Sequence, residues 1–203
     1  MRTSQTSAVQ QERTTAERPW PPSQGEWTYE DWLRLPDDGY CYEVVDRVLF
    51  ISPPPRIEHQ RIVVRLIRLF GNFVEDHRLG EVLVAPVGVR LPNQPVPLQP
   101  DVLFIRAGRL NIIAEDYVEG SPDLVMEVLS PSNWLYDRGE KMQAYQDGGV
   151  AEYWIVDPRA GAIEVYVLEQ GAYLLVGKYG PGEAAQSQIV PGFEAPVDEV
   201  LTT

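Results

Sequence analysis

Four side chains have the types and spacing for hydrolytic chemistry: Glu43, Asp101, Glu127 and Lys141. Glu127 lies inside Leu124-Val125-Met126-Glu127-Val128-Leu129, a nearly continuous apolar run of strand length. Such a run predicts a strand buried on both faces, and an unpaired carboxylate inside one costs on the order of several kcal/mol. Glu43 repeats the pattern within Cys41-Tyr42-Glu43-Val44-Val45, and Asp101 opens the run Val102-Leu103-Phe104-Ile105 directly after Pro100. If the strands of Asp101 and Glu127 are neighbours, their carboxylates converge at one edge of a sheet. Acids focused on one point repel, so a cation is their natural partner. Hard oxygen donors with open positions suit magnesium or manganese. An ion held there lowers the pKa of its water and stabilises charge building on a phosphate. A nearby lysine adds a point charge to the same transition state. Each residue also has a plainer account. Glu43 alone reads first as a cross-strand or edge salt bridge, and Lys141 can pair with Asp137 at i, i+4 on a helix surface.

The elements that must position these groups follow from the pattern. Thr28 is a plausible N-cap for a short helix that Pro36-Asp37-Asp38-Gly39 ends. Cys41–Val45 and Val48–Ser52 flank Asp46-Arg47 and predict a hairpin. From Ile57 to about His77, Ile62, Val63, Leu66, Ile67, Phe70, Phe73 and Val74 form a broad apolar stripe at helical spacing. Arg61, Arg65 and Arg68 line the opposite side. A solvated face is the simpler account of them, and a ridge that touches phosphates is the functional one. His59 stands in the first turn with no second histidine near it in sequence, which argues against zinc.

Two short strands are expected at 81–85 and 87–91, a proline-rich loop at 92–100, and a strand at 100–105. Residues 106–120 read as an insert with Glu115, Asp116 and Glu119 on its surface. Ser130-Pro131-Ser132 breaks the strand that carries Glu127, and a helix from about Trp134 or Asp137 to Gln146 stops at Gly148-Gly149. A strand at 151–157, an antiparallel pair at 163–168 and 173–176, and a terminal crossing strand with a short turn at 192–201 complete the chain. The order implies α+β (mixed α/β) with a central mixed sheet flanked by helices.

Residues 1–25 are polar and aperiodic and predict a disordered tail, leaving one domain over 26–203. No window is apolar for the roughly 18 residues that a membrane span needs, and no apolar h-region marks a secretory signal. The single cysteine, Cys41, excludes an intrachain disulfide framework and suits a reducing cytosol, so a cytoplasmic location is expected. The net charge of −13 means that any nucleic-acid binding must rest on a local basic patch or on metal ions.

The segments YEVVDRVLFISPPPRIEHQRIVVRL, QPDVLF, PDLVMEVLSPS, DRGEKMQAY and EYWIVDP, in this order, resemble the Uma-type (Uma-two) family of restriction endonucleases in the PD-(D/E)XK restriction-endonuclease-like superfamily. The resemblance spans about residues 27–200. It implies a nuclease-like domain with a mixed sheet flanked by helices, and a magnesium- or manganese-dependent site that hydrolyses phosphodiester bonds in nucleic acid, DNA above all. Carried over residue by residue, the PD aspartate is Asp101, the following acid is Glu127, and Glu43 matches an acid that completes the metal site from an earlier element. The lysine of the pattern falls at position 129, which here is Leu129. Lys141, on the following helix, is the residue that could replace it, with Tyr145 one turn on packing or orienting it. Two functions follow: an endonuclease that works through Asp101, Glu127, Glu43 and Lys141, or a weakened relative kept as a binding or assembly module. A homodimer through the apolar strands between Ile163 and Val176 would suit a double-strand cutter.

Overall fold

The structure is a computed structural model that describes residues 19–92, 94–131 and 134–202. Residues 1–18 of the expected tail, and Ser132 of the expected strand break, lie outside the described residues. The remainder of that tail touches the fold. The Gln24 side chain bonds both the N–H (2.7 Å) and the carbonyl (3.1 Å) of Leu49, and the Gly25 N–H donates to the Arg47 carbonyl at 2.9 Å.

Helix α1 (Tyr29–Trp32) starts at Thr28, whose side chain and Asp31 form a reciprocal capping box. Strands β1 (Cys41–Val45) and β2 (Val48–Ser52) pair antiparallel around Asp46 and Arg47, both with positive φ (47° and 65°). That is the two-residue turn whose twist matches a hairpin, built here without glycine. Helix α2 (Ile57–Leu66) runs through a π turn (Ile67–Gly71) into α3 (Asn72–Asp76). The predicted long helix is therefore continuous but locally widened, and it buries Ile62, Val63, Leu66, Phe70 and Val74.

Strands β3 (Gly80–Val84), β4 (Gly88–Arg90) and β5 (Val102–Arg106) follow. The segment read as an insert holds a 3-10 turn (Ala107–Ile112) and β6 (Tyr117–Glu119), which pairs in parallel with β4. After β7 (Leu124–Val128), the single expected helix is two: α4 (Trp134–Arg138) and α5 (Glu140–Gly148). Gly139 separates them with φ −111° and ψ −100°, outside the helical region. Gly149, at φ 80°, then closes α5 in the left-handed conformation that favours glycine. The chain ends with β8 (Glu152–Asp157), β9 (Ala162–Glu169), β10 (Ala172–Tyr179), β11 (Ala184–Gln186), β12 (Glu194–Pro196) and α6 (Val197–Leu201).

The central sheet has six strands in the order β10-β9-β8-β7-β5-β3, with β7 and β8 parallel and the other neighbours antiparallel. This is the mixed sheet of the α+β class that the pattern implied. Alternation along β7 divides its side chains. Leu124, Met126 and Val128 join the core under α2 and the C-terminal segment, which contributes Phe193, Val197 and Val200. Val125 and Leu129 join the opposite core with Tyr145 of α5, Tyr153 and Ile155. Glu127 shares that second face. No described helix is long and apolar enough to cross a membrane.

Candidate active site

The antiparallel register of β5 and β7 pairs Val102 with Met126. One step further along the same register sets Asp101 opposite Glu127, at the end of β7 that leads to α4. Both line a cavity of about 130 Å³ together with Glu43, Lys141, His59, Asp137, Cys41 and Ser130. All four residues singled out in the sequence therefore meet around one space, delivered by β1, the start of β5, β7 and α5.

Lys141 is 3% exposed, yet it carries an ammonium. Its Nζ lies 2.9 Å from Glu127 Oε1 and 3.1 Å from Glu43 Oε1. Burial would depress the lysine, but Glu127 and then Glu43 outweigh it and hold it well above its ordinary value. The Tyr145 hydroxyl donates to the same Glu127 oxygen at 2.9 Å. Tyr145, expected from the sequence to pack or orient the lysine, bonds the acid that the lysine pairs with. Burial pushes the Glu127 carboxyl well up; Lys141 opposes the shift, and Asp101, Asp137 and Glu43 add to it. Lys141 has its ion pairs with Glu127 and Glu43, so the surface pairing with Asp137 is replaced by a buried one. Glu43, which alone read as a cross-strand or edge salt bridge, pairs instead with Lys141 across the cavity.

Asp101 is held from two sides. Its Oδ2 accepts the Val128 N–H at 2.8 Å and sits 3.0 Å from His59 Nε2. Burial would lower the His59 pKa, but the hydrogen bond to Asp101 together with the charges of Asp101 and Asp137 raises it. Asp137 is 4% exposed, and burial raises its carboxyl to about 7, with Lys141 opposing and Glu43 and Asp101 reinforcing.

His59 and Asp137 were not foreseen as members of this group. A signal for His59 was present: it extends the buried stripe of Ile62, Val63 and Leu66 one turn backward, where a polar residue needs a polar partner. Position 129, where the superfamily pattern has lysine, carries a buried leucine packed in the second core.

Other buried acids have structural partners. Asp123 is paired with Arg106 (2.5 Å) and Arg109 (3.0 Å), and Glu152 accepts from Trp154 Nε1 (2.7 Å) and from the Gln188 and Ile189 N–H groups. Among the described residues, no three His, Cys, Asp or Glu side chains form a group able to hold one ion by themselves.

The fold agrees with what the chain resembles. A crystal structure described as "a putative nuclease belonging to DUF820", from Anabaena variabilis, superposes with a TM-score of 0.70 at 16% sequence identity, covering 86% of this chain and 97% of that one. At that identity the likeness is one of fold. No curated protein matches the chain. The family model of Uma2, described as "Putative restriction endonuclease", matches residues 29–198. That span holds Glu43, Asp101, Glu127 and Lys141, and the chain belongs to this family.

Proposed function

We propose that the chain is a divalent-metal-dependent endonuclease that hydrolyses phosphodiester bonds in nucleic acid, with DNA as the polymer and magnesium or manganese as the ion. One observation carries the reading: Asp101 and Glu127 face each other across β5 and β7, with the buried Lys141 ammonium beside them in one cavity. The donor set suits the ion. Magnesium keeps several of its waters and takes one or two carboxylates together with substrate phosphate, so Asp101 and Glu127 suffice as protein ligands, with Glu43 completing the acidic wall. Burial and neighbouring acids already push Glu127 up, and a cation would relieve that repulsion. When bound, the ion supplies Lewis acidity toward the phosphate and a lowered pKa for the attacking water.

The chain's own residues do the rest. The Val128 N–H and His59 fix the Asp101 carboxylate, and Tyr145 and Lys141 fix Glu127 from the opposite side. Lys141, kept cationic by two acids, sets a positive charge beside the phosphoryl group where negative charge builds in the transition state. Because Leu129 is apolar, that charge comes from α5 and not from β7.

The test is nicking of supercoiled plasmid by the purified protein with magnesium, with manganese and with chelator. Asp101→Asn and Glu127→Gln keep the shape of each side chain and remove its charge. The wild type is expected to nick with either metal and not with chelator, and each variant to lose at least about a hundredfold in rate, the scale of one lost transition-state contact. A wild type that cleaves neither DNA nor RNA with either ion would overturn the endonuclease reading in favour of a binding or assembly module on the same fold.

A further inference from the structure

The outer face of α2 begins beside the candidate site. A shallow cleft of about 380 Å³ is lined by Pro55, Ile57, Gln60, Arg61, Val64, Arg65 and Arg68. Pro55 and Gln60 also line the cavity that holds Asp101 and Glu127, so the two spaces share a wall. No acid lines this cleft, although the chain as a whole carries a net charge of −13. Arg65 is committed to the C-terminus, where it donates to the carbonyls of Val200 and Thr202. Among the described residues, neither Arg61 nor Arg68 has an ion pair or a hydrogen bond from its guanidinium. Ile57 is 73% exposed and Val64 52% exposed on the same face.

Two unpaired guanidiniums, Arg61 on α2 and Arg68 in the π turn that continues it, are seven residues apart and so about 10 Å from each other along the common axis. A strand of B-DNA advances about 3.4 Å per phosphate, so this separation spans about three phosphates. Aliphatic side chains alternating with the cations, Ile57 before Arg61 and Val64 after it, match the apolar surfaces of sugars and base edges. An acidic protein overall has no general attraction for a polyanion, and so a track of this kind must be local.

Resting on the endonuclease reading, we infer that the face of α2 and the π turn after it, carrying Ile57, Arg61, Val64 and Arg68, is the docking track for the DNA strand whose phosphodiester enters the neighbouring cavity. Arg61 and Arg68 take backbone phosphates on one side of the bond to be cut. Val64 lies against the strand between them, and Ile57 one turn before Arg61.

The test is binding of a fluorescein-labelled DNA duplex by anisotropy, without added metal, across about 50 to about 200 mM salt. Wild type is compared with Arg61→Ala/Arg68→Ala and with Arg159→Ala/Arg78→Ala, which removes the same charge from turns elsewhere in the chain. Loss of two phosphate contacts should weaken binding at least tenfold at the lowest salt. It should also reduce the slope of log affinity against log salt by about 1.8, since each phosphate contributes about 0.9. The remote pair should leave that slope within experimental error. An unchanged slope in Arg61→Ala/Arg68→Ala would overturn the track, as would an equal loss in the remote pair, which would reduce the effect to net charge. Plasmid nicking by the wild type separates this failure from failure of the endonuclease reading: a protein that nicks but binds independently of Arg61 and Arg68 is a nuclease with its substrate track elsewhere.

Discussion

Lys141 and Glu127 are 2.9 Å apart and both almost wholly buried, although one belongs to a helix and the other to the strand before it. Glu43 comes within 3.1 Å of the same ammonium from the β1 strand. One cation between two acids leaves negative charge over, and Asp101 across the register adds to it. The fold therefore gathers more carboxyl groups around the cavity than Lys141 alone can pair, with His59 on Asp101. A second cation is the physical complement to such a site, and a phosphate oxygen can then approach without meeting uncompensated charge.

Removing the ammonium should expose that imbalance. Lys141→Met keeps the length of the side chain and leaves Glu43 and Glu127 without their counter-ion. Breaking a buried pair at one partner costs about 3–5 kcal/mol. Glu127→Gln added to Lys141→Met removes one of the stranded charges and should recover more than about 1 kcal/mol, a coupling typical of residues in contact. Urea denaturation of the wild type, both single variants and the double variant measures it. Additive single-variant losses would mean that the pair has no energetic reality in solution.

Much of this site was legible because the chain marks it with contradictions. A carboxylate inside Leu124–Leu129 and another inside Cys41–Val45 are costly wherever they are buried, so the sequence exposes them. The neighbour relation of β5 and β7, on which the convergence of Asp101 and Glu127 depends, was only a condition until the register supplied it. Lys141 was ambiguous because an i, i+4 partner, Asp137, stood in the same helical segment. Gly139 alters the geometry between α4 and α5, and a single uninterrupted helix gave no hint of that. Asp137 entered only the plainer account of Lys141, as a surface partner, yet it is buried in the cavity wall, because burial depends on which elements cover a helix face and not on the composition of the helix. The β4–β6 pair was missed for a related reason: three-residue strands joined in parallel carry too little alternation to stand out.

Asp137 should make stability depend on pH around neutrality. Its folded-state carboxyl is raised to about 7 from an ordinary 3.8, first by burial. A raised acid binds its proton more tightly in the folded state than in the unfolded one. The cost of ionising it is therefore absent below about pH 4, grows as the pH climbs toward 7, and is complete above that. Asp137→Asn, which cannot ionise, should match the wild type near pH 4 and exceed it in stability by a few kcal/mol near pH 8, because each tenfold difference in proton affinity between the two states is worth about 1.4 kcal/mol. Melting temperatures of both proteins across that range decide it. A gap that does not widen with pH would show that Asp137 ionises in the folded protein as it does in water.

A homodimer of the kind that would suit a double-strand cutter makes its own demand on β10. The sequence offered the whole stretch from Ile163 to Val176 as a contact surface, but Ile163 and Val165 on β9 are buried in the sheet and Tyr166, Val167 and Leu168 are half-buried, which leaves β10 as the strand with exposed large apolar side chains. Leu174, Leu175 and Val176 are 48%, 52% and 43% exposed on the outermost strand of the central sheet. Successive residues point to opposite faces, so apolar surface is open on both sides of an unpaired edge. Natural edges are guarded by charge, by proline or by a bulge. The one charge on β10, Lys178, is turned onto Glu164 of its own sheet at 2.9 Å, and the bulge between Leu175 and Gly177 is the remaining guard. An antiparallel pairing of β10 with β10 of a second copy would be isologous and closed. Light scattering should then give twice the chain mass for the wild type and the single mass for Leu174→Lys/Leu175→Lys. The monomeric variant should still nick plasmid one strand at a time but lose concerted linearisation, since its candidate site is intact and only the second copy is gone. A wild type that elutes as a monomer at micromolar concentration, or a lysine variant that still linearises plasmid in one step, would remove β10 from the assembly.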